Sequence, residues 1–161
     1  IKKNSEANII ISDIDTKEKE EVKLFKKPRS INFSDYFKLN PGAMGSNIII
    51  KKKYFNKFGG FDENLIVSED KSFIIDALLR NQKIFFQENK VFYNLNNQES
   101  ITKKDKIMAI GLKKFYLKYK NQMQLRDKIY VHSKIYFYKT KLNILYKCHY
   151  LIFLLLNKIY E

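Results

Sequence analysis

Four short runs of β-branched and aromatic residues, spread over residues 7–95, commit this chain to a sheet. Ala7–Ser12 (ANIIIS) is apolar, bounded by charge, and reads as a buried strand. Met44–Ile50 (MGSNIII) reads as a second strand, with Gly45 and Ser46 leaving room for something to approach its start. Lys83–Glu88 (KIFFQE) and Val91–Leu95 (VFYNL) read as two more, joined by a turn at Asn89-Lys90. Helical patterns lie between the runs. Lys52–Phe58 reads as a short helix stopped by Gly59-Gly60. Ser68 is placed to cap a helix from about Glu69 to Asn81, in which Phe73, Ile74, Ala77 and Leu78 follow helical spacing. This alternation predicts an α/β fold, a mixed sheet with flanking helices.

The connecting stretches are polar. Asp13–Lys27 is dense in charge and is expected to be a loop or a solvent-facing hairpin. Ser34–Phe37 suits a helical turn, and Asn40-Pro41-Gly42 is a turn signal. Thr102, with Asp105 three residues on, resembles a capping box for a helix through about Lys120. Gln124–Tyr160 is mostly helical in pattern, with Tyr, Phe, Leu and Ile interleaved with Lys. The apolar run Leu151–Leu156 is far too short to span a bilayer, and Lys147 and Lys158 bracket it closely, which suits an interfacial helix.

A length of 161 residues suits one domain with a real core, and 45% hydrophobic against 30% charged residues favours a folded chain. Cys148 is the single cysteine, so no intrachain disulfide and no cysteine-rich zinc site can form. His132 and His149 have no second ligand at metal spacing and read as surface or tail residues. The chain opens on Ile1, and we expect it to be part of a longer or processed polypeptide; Ile1–Glu6 has no apolar stretch of a signal peptide behind it. The net charge of +14 is unevenly placed. Residues 103–161 hold fourteen Lys and Arg against three acids, a net of +11, and residues 1–102 carry only +3. A near-balanced part is followed by a strongly basic one that suits an anionic partner, either nucleic acid or an anionic lipid leaflet.

The chemistry-bearing stretch is Asn40–Thr102. Gly45-Ser46 stands at a strand start, Gly59-Gly60-Phe61-Asp62-Glu63 follows a helix, and Ser68-Glu69-Asp70 opens the next helix. Glu69 and Asp70 set two carboxylates at a helix N-terminus, where the dipole favours the ionised form. A glycine pair permits close backbone approach by a ligand. A hydroxyl that acts as a nucleophile needs a general base, and a carboxylate on a cleft rim can serve. The same Ser-Glu-Asp signature also begins ordinary helices.

In order and spacing, GGFDE and SED, separated by Asn64-Leu65-Ile66-Val67, resemble the C-terminal half of family-two glycosyltransferases of the GT-A fold. The resemblance covers about residues 5–115 and implies a partial GT-A, Rossmann-like mixed sheet, followed by a basic helical tail over 116–161. It implies that Asp70 takes the proton from an acceptor hydroxyl, that Glu69 helps to orient the acceptor, and that Gly45, Ser46, Gly59, Gly60 and Asp62 contact the substrates. The implied partners are a nucleotide-sugar donor and a sugar or lipid-linked acceptor, in synthesis of bacterial surface polysaccharide or lipooligosaccharide. The implied site of action is the cytoplasm or the inner face of the cytoplasmic membrane. A divalent metal, Mn or Mg, accompanies the intact family, but its ligands are expected to be mostly absent here. Asp13-Ile14-Asp15 has the Asp-X-Asp form of the family's metal motif but follows the strand that normally comes after it. Asn96 stands near the position where many relatives carry a metal-site histidine. A non-catalytic remnant and a basic nucleic-acid-binding module remain as alternatives. Against the second, there is no helix-turn-helix, RRM or zinc signature, and the arginines are only Arg29, Arg80 and Arg126.

Overall fold

A computed structural model describes residues 7–18, 21–25, 29–38, 42–94 and 104–140. Contacts gather the chain into two compact units, Ile1–Asp62 with Glu69–Asn97, and Glu63–Ser68 with Gln98–Glu161.

The first unit is built on strand β1, Ile9–Glu18. Ile9, Ile10, Ile11 and Ser12 are all buried, so both faces of the strand's first half are covered, as a central strand requires. Its neighbours are β2 (Glu21–Phe25), β3 (Ile48–Ile50) and β4 (Ile84–Asn94), in one four-stranded mixed sheet. β3 pairs antiparallel with the start of β1, Ile9 opposite Ile50, and β2 pairs antiparallel with its end, Ile14 opposite Phe25. β4 runs parallel to β1 along its length, from Ile9 opposite Ile84 to Lys17 opposite Asn94. The fold class is therefore mixed α/β.

One sequence expectation is resolved here and two change. Of the loop and the hairpin expected after Ser12, the structure has the hairpin: β1 continues through Glu18 and pairs antiparallel with β2. The strand expected at Met44–Ile50 shrinks to Ile48–Ile50, because residues 45–47 form a turn. The two strands expected at 83–88 and 91–95 are one. Both halves of β4 pair with β1 in the same direction, so Asn89-Lys90 cannot be a hairpin turn. Instead the register slips there, from Ser12 opposite Gln87 to Asp13 opposite Lys90, and the extra polar residues are absorbed as a bulge.

The helices of this unit are α1 (Asp35–Lys38), α2 (Lys52–Lys57) and α3 (Glu69–Leu79). α2 ends as the glycine pair predicts. Gly59 takes φ 80°, its N–H donates to Asn56 O (3.1 Å) and Gly60 N–H donates to Phe55 O (3.0 Å), a Schellman cap. α3 ends the same way two residues earlier than expected. Asn81, at φ 54°, is the left-handed residue, with Asn81 N–H on Leu78 O (2.9 Å) and Gln82 N–H on Ala77 O (3.0 Å). Ser72, Phe73, Ile74 and Ile75 are four consecutive buried residues, so α3 is covered all round at that level.

The second unit holds α4 (Asp105–Tyr119) and α5 (Leu125–Thr140), which pack on each other. α4 begins at Asp105 with Lys104 in the cap position and no side-chain cap, so Asp105 is the first helical residue and not the third residue of a capping box. Asp127 does that work for α5, its Oδ2 accepting from Gln124 N–H at the helix start (3.1 Å). The expected division at 115–116 falls in the interior of α4. Pro41, Asn96, Thr102, Cys148, His149 and the run Leu151–Leu156 lie outside the described residues. No described helix is long and apolar enough to cross a membrane.

Candidate functional site

Asn47 organises the approach to the first carboxylate. Its side chain is buried and donates from Nδ2 to Ser12 O (2.5 Å) and Gly42 O (2.6 Å), while Oδ1 accepts from Met44 N–H (2.8 Å). Ser12 N–H in turn donates to Asn47 O (3.0 Å), so the turn before β3 is tied to β1. This leaves Gly45 and Ser46 exposed at the turn's outer edge. From there Gly45 N–H donates to Asp70 Oδ2 (3.2 Å). Two residues singled out in the sequence, 25 positions apart, are thus in direct contact.

Asp70 lies in the first turn of α3, half-buried, and its Oδ1 accepts from Lys71 N–H (2.6 Å). Two backbone donors therefore fix the carboxylate plane from opposite oxygens. Ser68, expected as the cap, takes φ 64°, outside the extended region that a capping serine adopts, and the carboxylates of the first turn stand at the helix start beside it. Burial raises the neighbouring Glu69 carboxyl above its ordinary pKa; a hydrogen bond from its own backbone opposes this, and the charge of Asp70 adds to it. Lys71 completes the local set. Burial lowers its pKa to about 8, with Asp70 pulling the other way. Glu69, Asp70 and Lys71 thus put two carboxyl groups and one ammonium group at one helix start.

The GGFDE segment plays a packing part. Gly59 and Gly60, at φ 80° and 76°, reverse the chain after α2, and the ring of Phe55 lies 3.3 Å from where a Gly60 side chain would begin. The reversal brings Phe61 against Phe55 (5.3 Å between ring centroids) and Phe73 of α3 (5.5 Å), and Phe73 also meets Phe55 (5.6 Å) and Phe58 (6.0 Å). This aromatic cluster fixes α2 against α3. Asp62 follows it, half-buried. Gly59, Gly60 and Asp62 are therefore joined to the Asp70 helix through Phe61 and Phe73, while the direct contact with Asp70 is made by Gly45.

Asp13, of the Asp-X-Asp form, faces Arg29: Nη2 donates to Oδ2 at 2.7 Å, and Ile14 between the two aspartates is buried. Among the described residues no three His, Cys, Asp or Glu side chains gather where one ion could be held. His132 is half-buried, its ring edge-on to Tyr116 (4.3 Å), and burial, with Lys139, lowers its pKa.

Asn47 and Lys71 were not singled out by sequence. A lone Asn ahead of three isoleucines signals a turn at most, and its three hydrogen bonds reach back to positions 12, 42 and 44. Lys71 is masked by composition, since 31 Lys and Arg leave no single lysine conspicuous. No family model matches the chain, and comparison with characterised proteins and with solved structures gives no match either.

Proposed function

We propose that this protein is an inverting glycosyltransferase that moves a sugar from a nucleotide-sugar donor to a hydroxyl of a surface-polysaccharide or lipooligosaccharide acceptor, with Asp70 as general base. The observation that carries the reading is the hydrogen bond from Gly45 N–H to Asp70 Oδ2 (3.2 Å). It joins the small-residue turn before β3 to the carboxylate of the Ser-Glu-Asp motif, at a place on the surface that keeps access to solvent. In the step itself the acceptor oxygen forms a bond to the anomeric carbon as the bond from that carbon to the diphosphate oxygen breaks. The leaving diphosphate takes the electron pair, and the hydroxyl proton passes to Asp70. Glu69, whose burial disfavours its charge, is suited to hydrogen-bonding the acceptor. Gly45, Ser46, Gly59, Gly60 and Asp62 frame the substrates, with small residues admitting close approach.

The test is a transfer assay with a panel of nucleotide sugars and hydroxyl acceptors, reading the anomeric configuration of the product by NMR. The proposal expects transfer with inversion. Retention of configuration, or no transfer from any donor, contradicts it.

A further inference from the structure

The buried side of α4 is set by Ala109, Gly111, Leu112, Phe115 and Tyr119. At 3.6 residues per turn the opposite side carries Lys106, Ile110, Lys113, Lys114, Leu117 and Lys118, and every one of them is exposed. Ile110 is 44% exposed and Leu117 52%. These two lie two turns apart on the line farthest from the buried side. Lys106, Lys113 and Lys120 run along one flank of that line, and Lys114 and Lys118 along the other. Between 104 and 120 there are six lysines and a single acid, Asp105. Single exposed aliphatic residues are ordinary on a protein surface. An aliphatic line bordered on both sides by ammonium groups is a pattern with its own physics.

We propose that the outer face of α4 docks on an anionic lipid surface, with the helix lying in the plane of the interface. The lysines meet lipid phosphates, and Ile110 and Leu117 enter the boundary between headgroups and acyl chains. Charge complementarity selects this occupant. A second copy of the chain would bring like charges face to face. A nucleic acid would satisfy the lysines but would gain little from Ile110 and Leu117, which have no ring for a base to stack on. The nearby rings are turned to other work: Tyr119 is buried, and Tyr116 packs against His132. The inference stands on α4 alone and does not depend on the glycosyl-transfer reading.

The experiment is flotation of the purified protein with phosphatidylcholine vesicles, with and without phosphatidylglycerol. The wild type is expected to float with the anionic vesicles and to be released by salt. The double substitution Ile110→Ser/Leu117→Ser is expected to weaken binding roughly tenfold. Lys106→Gln/Lys113→Gln is expected to weaken it by a similar factor. Both variants change exposed residues, so their far-ultraviolet circular dichroism and thermal midpoints should match the wild type. Unchanged flotation of the Ile110/Leu117 variant would overturn the proposal, as would equal binding to neutral vesicles or no flotation at all. So would competition by a single-stranded oligonucleotide for binding that needs the lysines but not the aliphatic pair, which would assign this face to nucleic acid.

Discussion

One carboxamide, that of Asn47, decides where the backbone of Gly45 points. It is buried, and its three side-chain hydrogen bonds hold the turn before β3 to β1. Asn47→Ala leaves two carbonyls and one N–H without these partners and should cost about 2–4 kcal/mol, measured by urea denaturation. Asn47→Asp should cost at least as much, because a carboxylate would face the Ser12 and Gly42 carbonyl oxygens that Nδ2 now serves. Lys71 makes a pH prediction. In the folded protein its proton leaves near pH 8, whereas in the unfolded chain it stays until about 10.5. The unfolded state therefore holds more protons in that window, and stability rises with pH across it. Lys71→Met should remove this rise, which amounts to about 2 kcal/mol once partial exposure is allowed for, and should raise stability at neutral pH. Unfolding curves at several pH values from 7 to 11 check both statements.

Elements are held by contacts that the sequence foretold unevenly. Gly59-Gly60 was readable as a helix stop, because a left-handed cap is a local matter and glycine meets it without strain. The use made of that stop, delivery of Phe61 onto Phe73, depends on two helices meeting and was not readable from either alone. β1 and β4 show the same limit. Their apolar runs marked the strands, but only parallel pairing explains why polar Glu88-Asn89 is a bulge and no turn follows at Asn89-Lys90. The motif residues of the candidate site were legible as residue types in order. The contact of Gly45 with Asp70 was not, since it spans 25 positions and rests on Asn47. Gly111 is a further case. It is buried in α4, and a methyl group there would overlap the Val67 side chain, whose Cβ would lie at 3.2 Å. Gly111→Ala should therefore destabilise by about 1–2 kcal/mol despite alanine's better helix propensity. The second substitution Val67→Ala should recover part of that loss, measured as a double-mutant cycle in urea.

For the whole molecule, charge and chemistry sit at different places in the chain. The carboxylates of the candidate site lie in residues 62–70, while the C-terminal stretch 103–161 carries a net +11. In the proposed reading, a basic surface would hold the protein where anionic lipid and a lipid-linked acceptor are concentrated, and a carboxylate at a helix start would take the acceptor's proton. The central claim is the second of these. It is tested most directly by comparing sugar transfer by the wild-type protein with that by Asp70→Asn, with Glu69→Gln alongside and folding checked by circular dichroism. The account predicts a fall of about 10²–10⁴-fold in kcat for Asp70→Asn, the range that general-base catalysis supplies, and a smaller loss for Glu69→Gln. Transfer by Asp70→Asn at the wild-type rate would contradict it.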